Sequence, residues 1–594
     1  MFSSIAKAAG LVALLSTPSL AVALPAEVIA RTPDVPWKRT GVSDVHRRQG
    51  YPTGCTNGPT SRDCWDGDFT VSTDQDISWP DTGKTVSYNL EIAPGKYSPD
   101  GVEKDMILIN GQYPGPTIVA DWGDTISITV KSSLTLNGTG IHWHGLRQLG
   151  SNQMDGVGGI TECPIADGVS KTYTFKATQY GSSWYHSHYS VQYGDGVVGG
   201  IIINGPATAN YDLDLGVLPF TDWFYAPIFT VNAASLHANG PPTADNVLVN
   251  GTMTSASGGQ YSVTKLEHGK KHLLRLVNTG INNWIHVSLD QHPFTVVSSD
   301  FTPIVPFVTD SLVLAVGQRY DVIINANQTE GNYWLRVGTG GGRCDGPNTN
   351  AANIRGIFAY GNSTEPLDSA NSTGITLPTG CDDETNIVPF VKTDIPQDTP
   401  EELTLGFTNT QAAGNLVQWL IDGVSLRVDL KDPTLLNVLN GNDTFEATEN
   451  VYVVGEKNQW QYWVIQQNTS SPPIPHPIHL HGHDFYVLQQ GTGEWAGDLS
   501  GLDLDNPPRR DTATLPAGGF LVLAFESDNP GAWLMHCHIP FHISQGLGLQ
   551  FLERSDEIVS ANGGLSGLKD GCATWGPYQD ENFPNGFTYG DSLL

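Results

Sequence analysis

The distribution of histidine is the feature of this 594-residue chain that most constrains its fold. Of its 17 histidines, 11 fall in four short clusters, two early and two late, and every cluster contains a His-x-His pair. The clusters span residues 142–144, 186–188, 476–483 and 536–542. On a β-strand, residues i and i+2 point to the same face, so each pair offers two imidazoles to one side. Packing alone does not explain four such pairs, and the sequence therefore predicts metal sites built from distant segments.

The last cluster also contains a cysteine, Cys537, between His536 and His538. On a strand its sulfur points away from both imidazoles, so one short segment can serve two metal sites back to back. With His542 downstream and His476 from another strand, Cys537 completes a His₂Cys set, the trigonal arrangement of blue-copper sites. The alternative for this cysteine is a disulfide. That alternative is weaker because the six other cysteines can pair among themselves, in any of 15 ways.

The usual axial position of such a site, ten residues after the cysteine, holds Leu547. Leucine cannot coordinate copper, so the sequence predicts a three-coordinate site. Loss of a donor disfavours the more charged Cu(II) form, and we expect a relatively high reduction potential.

The rest of the chain is typical of an all-β protein. Short β-branched, aromatic or alternating segments lie between turns, in keeping with 66 Gly and 38 Pro, and long helical windows are hard to find. Examples of such segments are 125–130, 171–175, 451–454 and 520–525. The expected architecture is a set of sandwiches or Greek-key barrels. We expect boundaries near Gly205 and within the polar stretch 361–394, and an irregular tail from about Ser555.

The N-terminus is typical of a secreted precursor. An apolar run ends at the Ala-Val-Ala pattern of residues 21–23, and Arg47-Arg48 is a dibasic processing signal. We expect a signal peptide over 1–23, a propeptide over 24–48 and an extracellular protein without a membrane span. Seven N-x-S/T sequons agree with this route and predict a glycoprotein. They are Asn137, Asn250, Asn327, Asn362, Asn371, Asn442 and Asn468.

The net charge of −31 excludes one class of partner. The chain has 61 acidic and 30 basic residues and no run of Lys or Arg. Such a field repels phosphate backbones, so we expect no nucleic-acid partner. A monomer is the default expectation.

The four clusters resemble the motifs of the multicopper oxidases, specifically the laccases of filamentous ascomycete fungi. The similarity runs from about Cys55 to the C-terminus. It includes the stretches HWHGLRQLGSNQMDGVGGITECPI, WYHSHYSVQYGDG, HPIHLHGHDF and HCHIPFHISQGLGLQFLE. The resemblance implies three cupredoxin-like domains, with three metals bound between the first and the third. We expect these domains at 49–207, 208–385 and 386–594, the last with the C-terminal tail.

The resemblance also implies a role for each motif residue. The type 1 copper would be bound by His476, Cys537 and His542. The type 2 copper would be bound by His142 and His479. The type 3 pair would be bound by His144, His186, His188, His481, His536 and His538. His483 resembles a position that is not a ligand, and the implied disulfides are Cys55–Cys64, Cys163–Cys572 and Cys344–Cys381.

The implied activity is that of a laccase with four copper ions. Such an enzyme oxidises phenolic or other aromatic reductants of the p-diphenol type at the type 1 copper. It uses the electrons to reduce dioxygen to water at the other three. Asp155 matches an acidic position near the type 2 copper and is a candidate proton relay; the alternative is a turn Asp before Gly. Asp245 resembles a pocket carboxylate that would help to remove the phenolic proton.

The end of the chain carries a further resemblance. Ascomycete laccases end on an Asp-Ser-Gly-Leu plug that enters the solvent tunnel of the three-metal site. The sequence here ends Asp591-Ser592-Leu593-Leu594, with Leu593 in place of Gly, and a tail without this role is the alternative.

Two other functions stay open on the sequence. One is a specialised multicopper oxidase for a single phenolic metabolite, ascorbate or ferrous iron; Leu547 argues mildly against ascorbate, whose oxidases resemble Met-ligated sites. The other is a copper carrier or storage protein. A carrier needs only the His₂Cys set, and a storage protein favours a richer supply than five Met and seven Cys. The biological role, whether lignin degradation, pigment formation or detoxification, is not encoded in these motifs.

Overall fold

The computed structural model describes residues 55–341, 344–410, 414–455, 457–584, 586 and 591–594. The expected signal peptide (1–23) and propeptide (24–48) lie outside the described residues. The same holds for the side chain of Cys55 and therefore for its expected disulfide with Cys64. In the part of the chain that is described, no helix has both the length and the apolar character needed to cross a membrane.

The first region, residues 55–204, consists of two four-stranded sheets and a small hairpin. Its strands are β1 (Cys55–Thr56), β2 (Asp66–Gly67), β3 (Thr85–Tyr97), β4 (Lys104–Ile109), β5 (Gly115–Asp121), β6 (Thr125–Ser132), β7 (Ile141–Trp143), β8 (Ser170–Lys176), β9 (Gly181–Ser187) and β10 (Val198–Asn204). The sheet orders are β4-β3-β6-β8 and β5-β10-β9-β7. Alternate residues of β6, namely Ile126, Ile128 and Val130, are fully buried, the period-2 pattern of a strand with one face in the core. Side chains of both sheets share one apolar core.

The middle region, residues 213–360, has a six-stranded and a five-stranded sheet. Its elements are β11 (Leu213–Trp223), α1 (Ile228–Ser235), β12 (Asn246–Val249), β13 (Thr254–Ser255), β14 (Gly258–Gly259), β15 (Val263–Leu266), β16 (Lys271–Asn278), β17 (Ile285–Leu289), β18 (Phe294–Ser299), β19 (Thr302–Thr309), β20 (Leu312–Leu314), β21 (Arg319–Asn325), β22 (Asn332–Thr339) and β23 (Arg355–Tyr360). The orders are β12-β11-β16-β21-β18-β19 and β15-β23-β22-β17-β20, with β13-β14 as a separate hairpin.

The third region, residues 401–582, again has a six-stranded and a five-stranded sheet. Its elements are β24 (Glu401–Thr410), β25 (Leu416–Ile421), α2 (Thr434–Leu439), β26 (Val451–Val454), β27 (Trp460–Gln467), β28 (His476–Leu480), β29 (Phe485–Thr492), β30 (Arg509–Arg510), β31 (Thr512–Leu515), β32 (Gly519–Glu526), β33 (Gly531–Cys537), α3 (Pro540–Ser544), β34 (Gly548–Glu553), α4 (Ser555–Ala561) and α5 (Leu568–Asn582). The orders are β25-β24-β27-β32-β29-β30 and β26-β34-β33-β28-β31, so β33 lies at the centre of its sheet.

The predicted all-β class is confirmed. Besides the α-helices, the described residues contain 3₁₀ turns at Asn152–Met154, Gln192–Asp195, Ala447–Glu449, Leu499–Gly501 and Gly563–Leu565. One apolar core is shared by all three regions and includes Trp184, Phe358 and Phe551. The polar stretch 361–394 forms no named strand or helix among the described residues. The Cys344–Cys381 disulfide ties it to the middle region.

The irregular tail expected from about Ser555 is wrong, because α4 and α5 occupy this segment. Helix α5 buries Leu568, Cys572 and Trp575, which follow the i, i+4, i+7 spacing of a helix face. The expected disulfide Cys163–Cys572 ties this helix to the first region. The rest of α5 contains glycines and Pro577, so the sequence does not predict a helix from this short apolar face.

One of the seven sequons is unsuited to carry a glycan in the folded protein. Asn250 is only 1% exposed, and a glycan needs its side-chain nitrogen at the surface. The other six sequon asparagines are exposed or half-buried.

Candidate metal centre

Strand pairing brings the first histidine cluster beside the second, and the third beside the fourth. His142 on β7 lies opposite His186 on β9, and His479 on β28 lies opposite His536 on β33. Strands β9, β28 and β33 are buried along their whole length. The histidine rings therefore face the protein interior and not solvent.

The early and late clusters meet where the first region contacts the third. The ring centroids of His142 and His481 are 3.9 Å apart, and those of His144 and His479 are also 3.9 Å apart. Eight histidines form this buried cluster: His142, His144, His186, His188, His479, His481, His536 and His538. None of the eight is more than 6% exposed.

Most of these rings use Nδ1 for a hydrogen bond to a protein oxygen. Asp155 receives two of them, since His142 Nδ1 lies 3.0 Å from its main-chain oxygen and His481 Nδ1 lies 2.8 Å from Oδ2. His479 Nδ1 donates to the main-chain oxygen of Asp511 at 2.8 Å. When Nδ1 carries the proton, Nε2 keeps a lone pair. These contacts orient five of the rings, whose Nδ1 partners are Asp155, Asp511, Ser187 and Cys537.

Two pairs of ring nitrogens face one another across the cluster. His481 Nε2 lies 3.3 Å from His536 Nε2, and His144 Nδ1 lies 3.1 Å from His538 Nε2. The other nitrogen of His144 donates to Asp511 Oδ1 at 3.2 Å. Within the eight-histidine cluster, four ring nitrogens are buried without a hydrogen-bond partner: His142 Nε2, His186 Nε2, His479 Nε2 and His538 Nδ1. Buried polar atoms rarely stay unpartnered, so the facing nitrogens and the Nε2 atoms of His142, His186 and His479 fit bound cations.

Burial, together with the neighbouring imidazoles, keeps seven of the eight rings neutral by lowering their pKa. Burial lowers the pKa of His536 to about 3. The pKa is lowered well below the ordinary histidine value, by burial first and by neighbouring rings second, for His144, His186, His188, His479, His481 and His538. Neutral imidazole is the form that binds transition metals.

A second, smaller site lies entirely within the third region. Cys537 Sγ is 3.4 Å from His542 Nδ1 and 3.6 Å from His476 Nδ1, and these two nitrogens are 3.1 Å apart. Cys537 is a free cysteine, as expected. Burial raises the pKa of its thiol, so a thiolate here needs a bound cation. The His₂Cys donor set fits copper.

Two buried residues, Trp419 and Leu547, lie beside this smaller site. Trp419 lies beside both imidazoles, with ring centroids 4.7 Å from His476 and 5.2 Å from His542. His542 is 9% exposed, which makes it the most exposed of the ten clustered histidines that could bind metal. Leu547 is fully buried, and its main-chain oxygen accepts the N–H of Cys537 at 3.2 Å.

Asp511 is a residue at the cluster that the sequence analysis missed. It is fully buried and contacts His144 and His479. Its carboxylate receives two hydrogen bonds from Arg319, at 2.6 and 2.7 Å. The only sequence signal is an Arg-Arg-Asp triplet that directly precedes the buried strand β31.

Gly145, which follows the first His-x-His pair, is explained by the same contacts. It has φ 73°, and a Cβ there would lie 2.3 Å from Asp511 Oδ2 and 2.5 Å from Arg319 Nη2. A side chain at this position would therefore displace the carboxylate that contacts His144.

Other candidate residues lie apart from the rings. The Oδ2 atom of half-buried Asp245 accepts the N–H of Tyr225 at 2.7 Å, and no described contact joins it to either site. His483 Nε2 lies 3.0 Å from a carboxylate oxygen of Glu553. Of the described residues, none of the histidines outside the four motifs belongs to a group that could hold a metal ion.

The last four residues pack beside the histidine cluster. Leu594 is 1% exposed and lines a small cavity with His188, His536 and His538. Ser592 donates its N–H to the main-chain oxygen of Ser544 at 2.8 Å.

Comparisons with known proteins agree with this geometry. Multicopper oxidase family models match residues 91–208, 214–363 and 427–557. Laccase-3 of Botryotinia fuckeliana is 50% identical over 456 residues, which cover 74% of this chain and all of that protein. The laccase of Neurospora crassa is 42% identical over 597 residues, covering 97% of this chain and 96% of its own.

A solved structure extends the likeness to the fold. The crystal structure of the laccase from Botrytis aclada superposes with a TM-score of 0.85 at 40% identity, covering 91% of this chain and 100% of that one. The chain therefore belongs to the multicopper oxidase family, among the laccases of ascomycete fungi, and is a copper-dependent oxidoreductase built from cupredoxin-like domains.

Proposed function

We propose that this protein is a laccase that oxidises phenolic substrates of the p-diphenol type one electron at a time and reduces dioxygen to water. Bound copper, four ions in all, supplies the redox chemistry. The observation that carries the proposal is that the end of one strand, β33, contributes side chains to two separate buried groups of possible metal ligands. Cys537 belongs to the His₂Cys set, whereas its bonded neighbours His536 and His538 belong to the eight-histidine cluster.

The proposed ligands of the one-metal (type 1) site are His476, Cys537 and His542. The proposed ligands of the type 2 ion are His142 and His479, whose Nε2 atoms are both unpartnered. The proposed ligands of the type 3 pair are His144, His186, His188, His481, His536 and His538. The short contacts between facing ring nitrogens support these assignments.

Electrons enter at His542 in this proposal, because it is the most exposed of the histidines concerned. Trp419 and His476 pack against its ring and exclude water from the rest of the site. From Cys537, a short covalent path through the main chain leads to His536 and His538. This path keeps the two sites a few bonds apart while the substrate stays at the surface.

Asp155 orients two rings of the three-metal site and, in this proposal, also relays protons to it. It is fully buried, and its carboxylate and main-chain oxygens hold His481 and His142. Reduction of dioxygen to water consumes protons, and Asp155 is an ionisable residue that is hydrogen-bonded to these rings.

Asp245 is proposed as the carboxylate that accepts the phenolic proton. Its half-buried position and the Tyr225 N–H that fixes Oδ2 support this role. Asp245→Asn should lower the rate with phenols and shift its pH dependence, whereas the rate with a reductant that carries no ionisable proton should stay the same. An unchanged pH profile with phenols would remove Asp245 from the mechanism.

We further propose the domain boundaries 49–207, 208–385 and 386–594, supported by the separate sheets of the three regions. Secretion after removal of 1–23 and 24–48, and a monomeric state, complete the proposal. The alternative of a ferrous-iron oxidase is not favoured, because none of the hydrogen bonds or ion pairs described for the type 1 histidines involves a carboxylate.

The test is oxygen uptake by the purified, copper-loaded protein with a dimethoxyphenol, ascorbate and ferrous iron in parallel. We expect rapid uptake with the phenol and no accumulation of peroxide. Uptake with ascorbate or iron alone would contradict the phenolic substrate class. A fully loaded blue protein that consumes no oxygen with any of them would contradict the oxidase function.

A further inference from the structure

The middle region supplies none of the proposed copper ligands, yet it contacts the three-metal site directly. Gly317 has φ 91°, and a Cβ there would lie 3.1 Å from His144 Cε1 and 3.2 Å from the His538 ring. The next residue, Gln318, donates from its side chain to the main-chain oxygen of Thr512 at 3.1 Å. The segment 317–319 therefore forms a wall of the cluster that belongs to neither histidine-bearing region.

Arg319 makes the strongest contact of this segment. Its Nη1 and Nη2 atoms donate to the two carboxylate oxygens of Asp511 at 2.6 and 2.7 Å, and both side chains are fully buried. Its Nε donates to the main-chain oxygen of Ser182 in the first region at 3.3 Å. A paired two-bond contact of this kind fixes the plane of the carboxylate as well as its position.

The orientation of Asp511 is coupled to two of the proposed ligands. Its Oδ1 accepts the Nε2 proton of His144, which leaves Nδ1 of that ring facing His538. Its main-chain oxygen accepts the Nδ1 proton of His479, whose Nε2 is unpartnered. The Thr512 hydroxyl also donates to Oδ1, at 2.9 Å. If the carboxylate rotated, His144 would lose the contact that selects its metal-facing nitrogen.

We propose that Arg319 is a positioning residue of the three-metal site, which holds Asp511 so that His144 and His479 present the correct nitrogens. This inference rests on the proposed ligand set. The middle region then contributes to the site, because it supplies the guanidinium that pairs with Asp511. In the described structure, no residue of the other two regions donates a guanidinium to this carboxylate. The role depends on the shape of the guanidinium as well as its charge, because lysine cannot donate two parallel bonds to one carboxylate.

The test compares Arg319→Lys with Arg275→Lys. Arg275 is a matched control because it is also buried, lies in the same sheet and reaches the first region through the Ser182 hydroxyl at 2.8 Å. It pairs with Asp214 and Asp321, and no described contact joins it to a histidine of either site. Copper per chain, the electron paramagnetic resonance signal of the type 2 ion and the blue absorption of the type 1 site are measured for each variant.

We expect Arg319→Lys to hold copper at the three-metal site about 10- to 100-fold more weakly and to change the type 2 signal. The blue absorption and its bleaching by a phenol should stay as in the unchanged protein. Arg319→Gln, which lacks the charge as well, should lose more copper than Arg319→Lys. Arg275→Lys should keep all four ions and an unaltered type 2 signal.

Three results would overturn the proposal. They are full copper with an unaltered type 2 signal in Arg319→Lys, equal loss in Arg275→Lys, and loss of the blue site together with the three-metal site in Arg319→Lys. The last two would assign Arg319 a general role in folding. Failure of the proposed function would be distinct, because the unchanged protein itself would then lack the blue site, bind fewer than four ions, or consume no oxygen although fully loaded.

Discussion

The two proposed metal sites of this protein are built in opposite ways. The one-metal site takes His476 from β28, Cys537 from β33 and His542 from α3, all within the third region. The three-metal site takes four histidines from the first region and four from the third, and the middle region adds Arg319 behind them. A site made within one region depends on local strand pairing, whereas a site shared by three regions depends also on how those regions dock.

The residues that contact the histidines also differ between the two sites. Trp419, an aromatic ring, packs on the one-metal site, and the side-chain amide of Gln467 lies 3.4 Å from His476 Nε2. Two fully buried carboxylates, Asp155 and Asp511, hold rings of the three-metal site. Buried charge is stable only when it is paired and hydrogen-bonded, so the shared site is the more sensitive to small changes in its surroundings.

The largest expected effect comes from separating the two sites at their common strand. Cys537→Ser removes the sulfur but leaves His536 and His538 in place. We expect the blue absorption and the oxidase activity with phenols to be lost, while the type 2 signal and three copper ions per chain remain. Copper analysis and electron paramagnetic resonance measure both at once. Loss of the type 2 signal in this variant would show that the two sites do not form independently.

The next effect concerns the shared site alone. Asp155→Asn keeps the shape of the side chain but weakens its hold on His481 and removes an ionisable group. We expect oxygen reduction to slow by about 10- to 100-fold, with reduction of the type 1 site by a phenol unchanged. Stopped-flow measurement of the blue absorption during reduction and reoxidation separates the two steps.

Glu162→Gln is the control for that experiment. Glu162 is a buried carboxylate seven residues away, held by the Tyr173 hydroxyl at 2.9 Å, with no described contact to a clustered histidine. Its reoxidation rate should stay near that of the unchanged protein. Equal slowing of reduction and reoxidation in Asp155→Asn would rule out a role specific to oxygen reduction.

Much of the difference between the two sites could be read from the sequence, because strand alternation places His-x-His pairs and Cys537 on opposite faces. The strand predicted at 125–130 corresponds to β6 (Thr125–Ser132), and that at 520–525 to β32 (Gly519–Glu526). These are segments whose local pattern and tertiary burial agree. The histidines that the motifs group together are also close in the structure.

The residues that hold the histidines of the shared site in place could not be predicted from the sequence in this way. Arg319 and Asp511 are 192 residues apart and belong to no histidine motif, so only the docking of the middle and third regions joins them. Asp155 was a candidate only through its resemblance to an acidic position of laccases, because its contact with His481 spans 326 residues. Helix α5 was missed because its buried face has only three residues among many polar and glycine positions.

A smaller effect is expected at an ion-pair network that joins the first and third regions near the shared site. Asp76 pairs with Arg509 at 2.7 Å and also with Arg147. Burial raises the pKa of Asp76, but the two guanidinium groups lower it by more, so the pKa lies well below the ordinary value. A lowered carboxylate pKa stabilises the fold above the unfolded-state pKa of about 3.9, and this stabilisation is lost as the pH falls below it.

Asp76→Asn should therefore destabilise the protein by about 1–3 kcal/mol near neutral pH, because two buried cations lose part of their partner. The difference from the unchanged protein should shrink as the pH falls below about 4. Thermal unfolding of both proteins across this pH range gives the measurement. A difference that is constant with pH would mean that Asp76 acts through packing and not through its charge.

The smallest effect is expected where the last residues of the chain close one side of the shared site. Leu593 has φ 70°, a left-handed conformation that costs an L-residue with a side chain about 1–2 kcal/mol and costs glycine little. Leu593→Gly and Leu593→Ala both remove the side chain beyond Cβ, so their difference isolates what a Cβ costs in this backbone conformation. We expect the glycine variant to hold the segment more firmly by about 1 kcal/mol, which is roughly a fivefold slower hydrogen exchange of the Ser592 and Leu594 amides. The one-metal site makes no described contact with this segment, and its blue absorption should be identical in both variants. Equal exchange in the two variants would show that the conformation at Leu593 does not limit how tightly Leu594 packs against the histidine cluster.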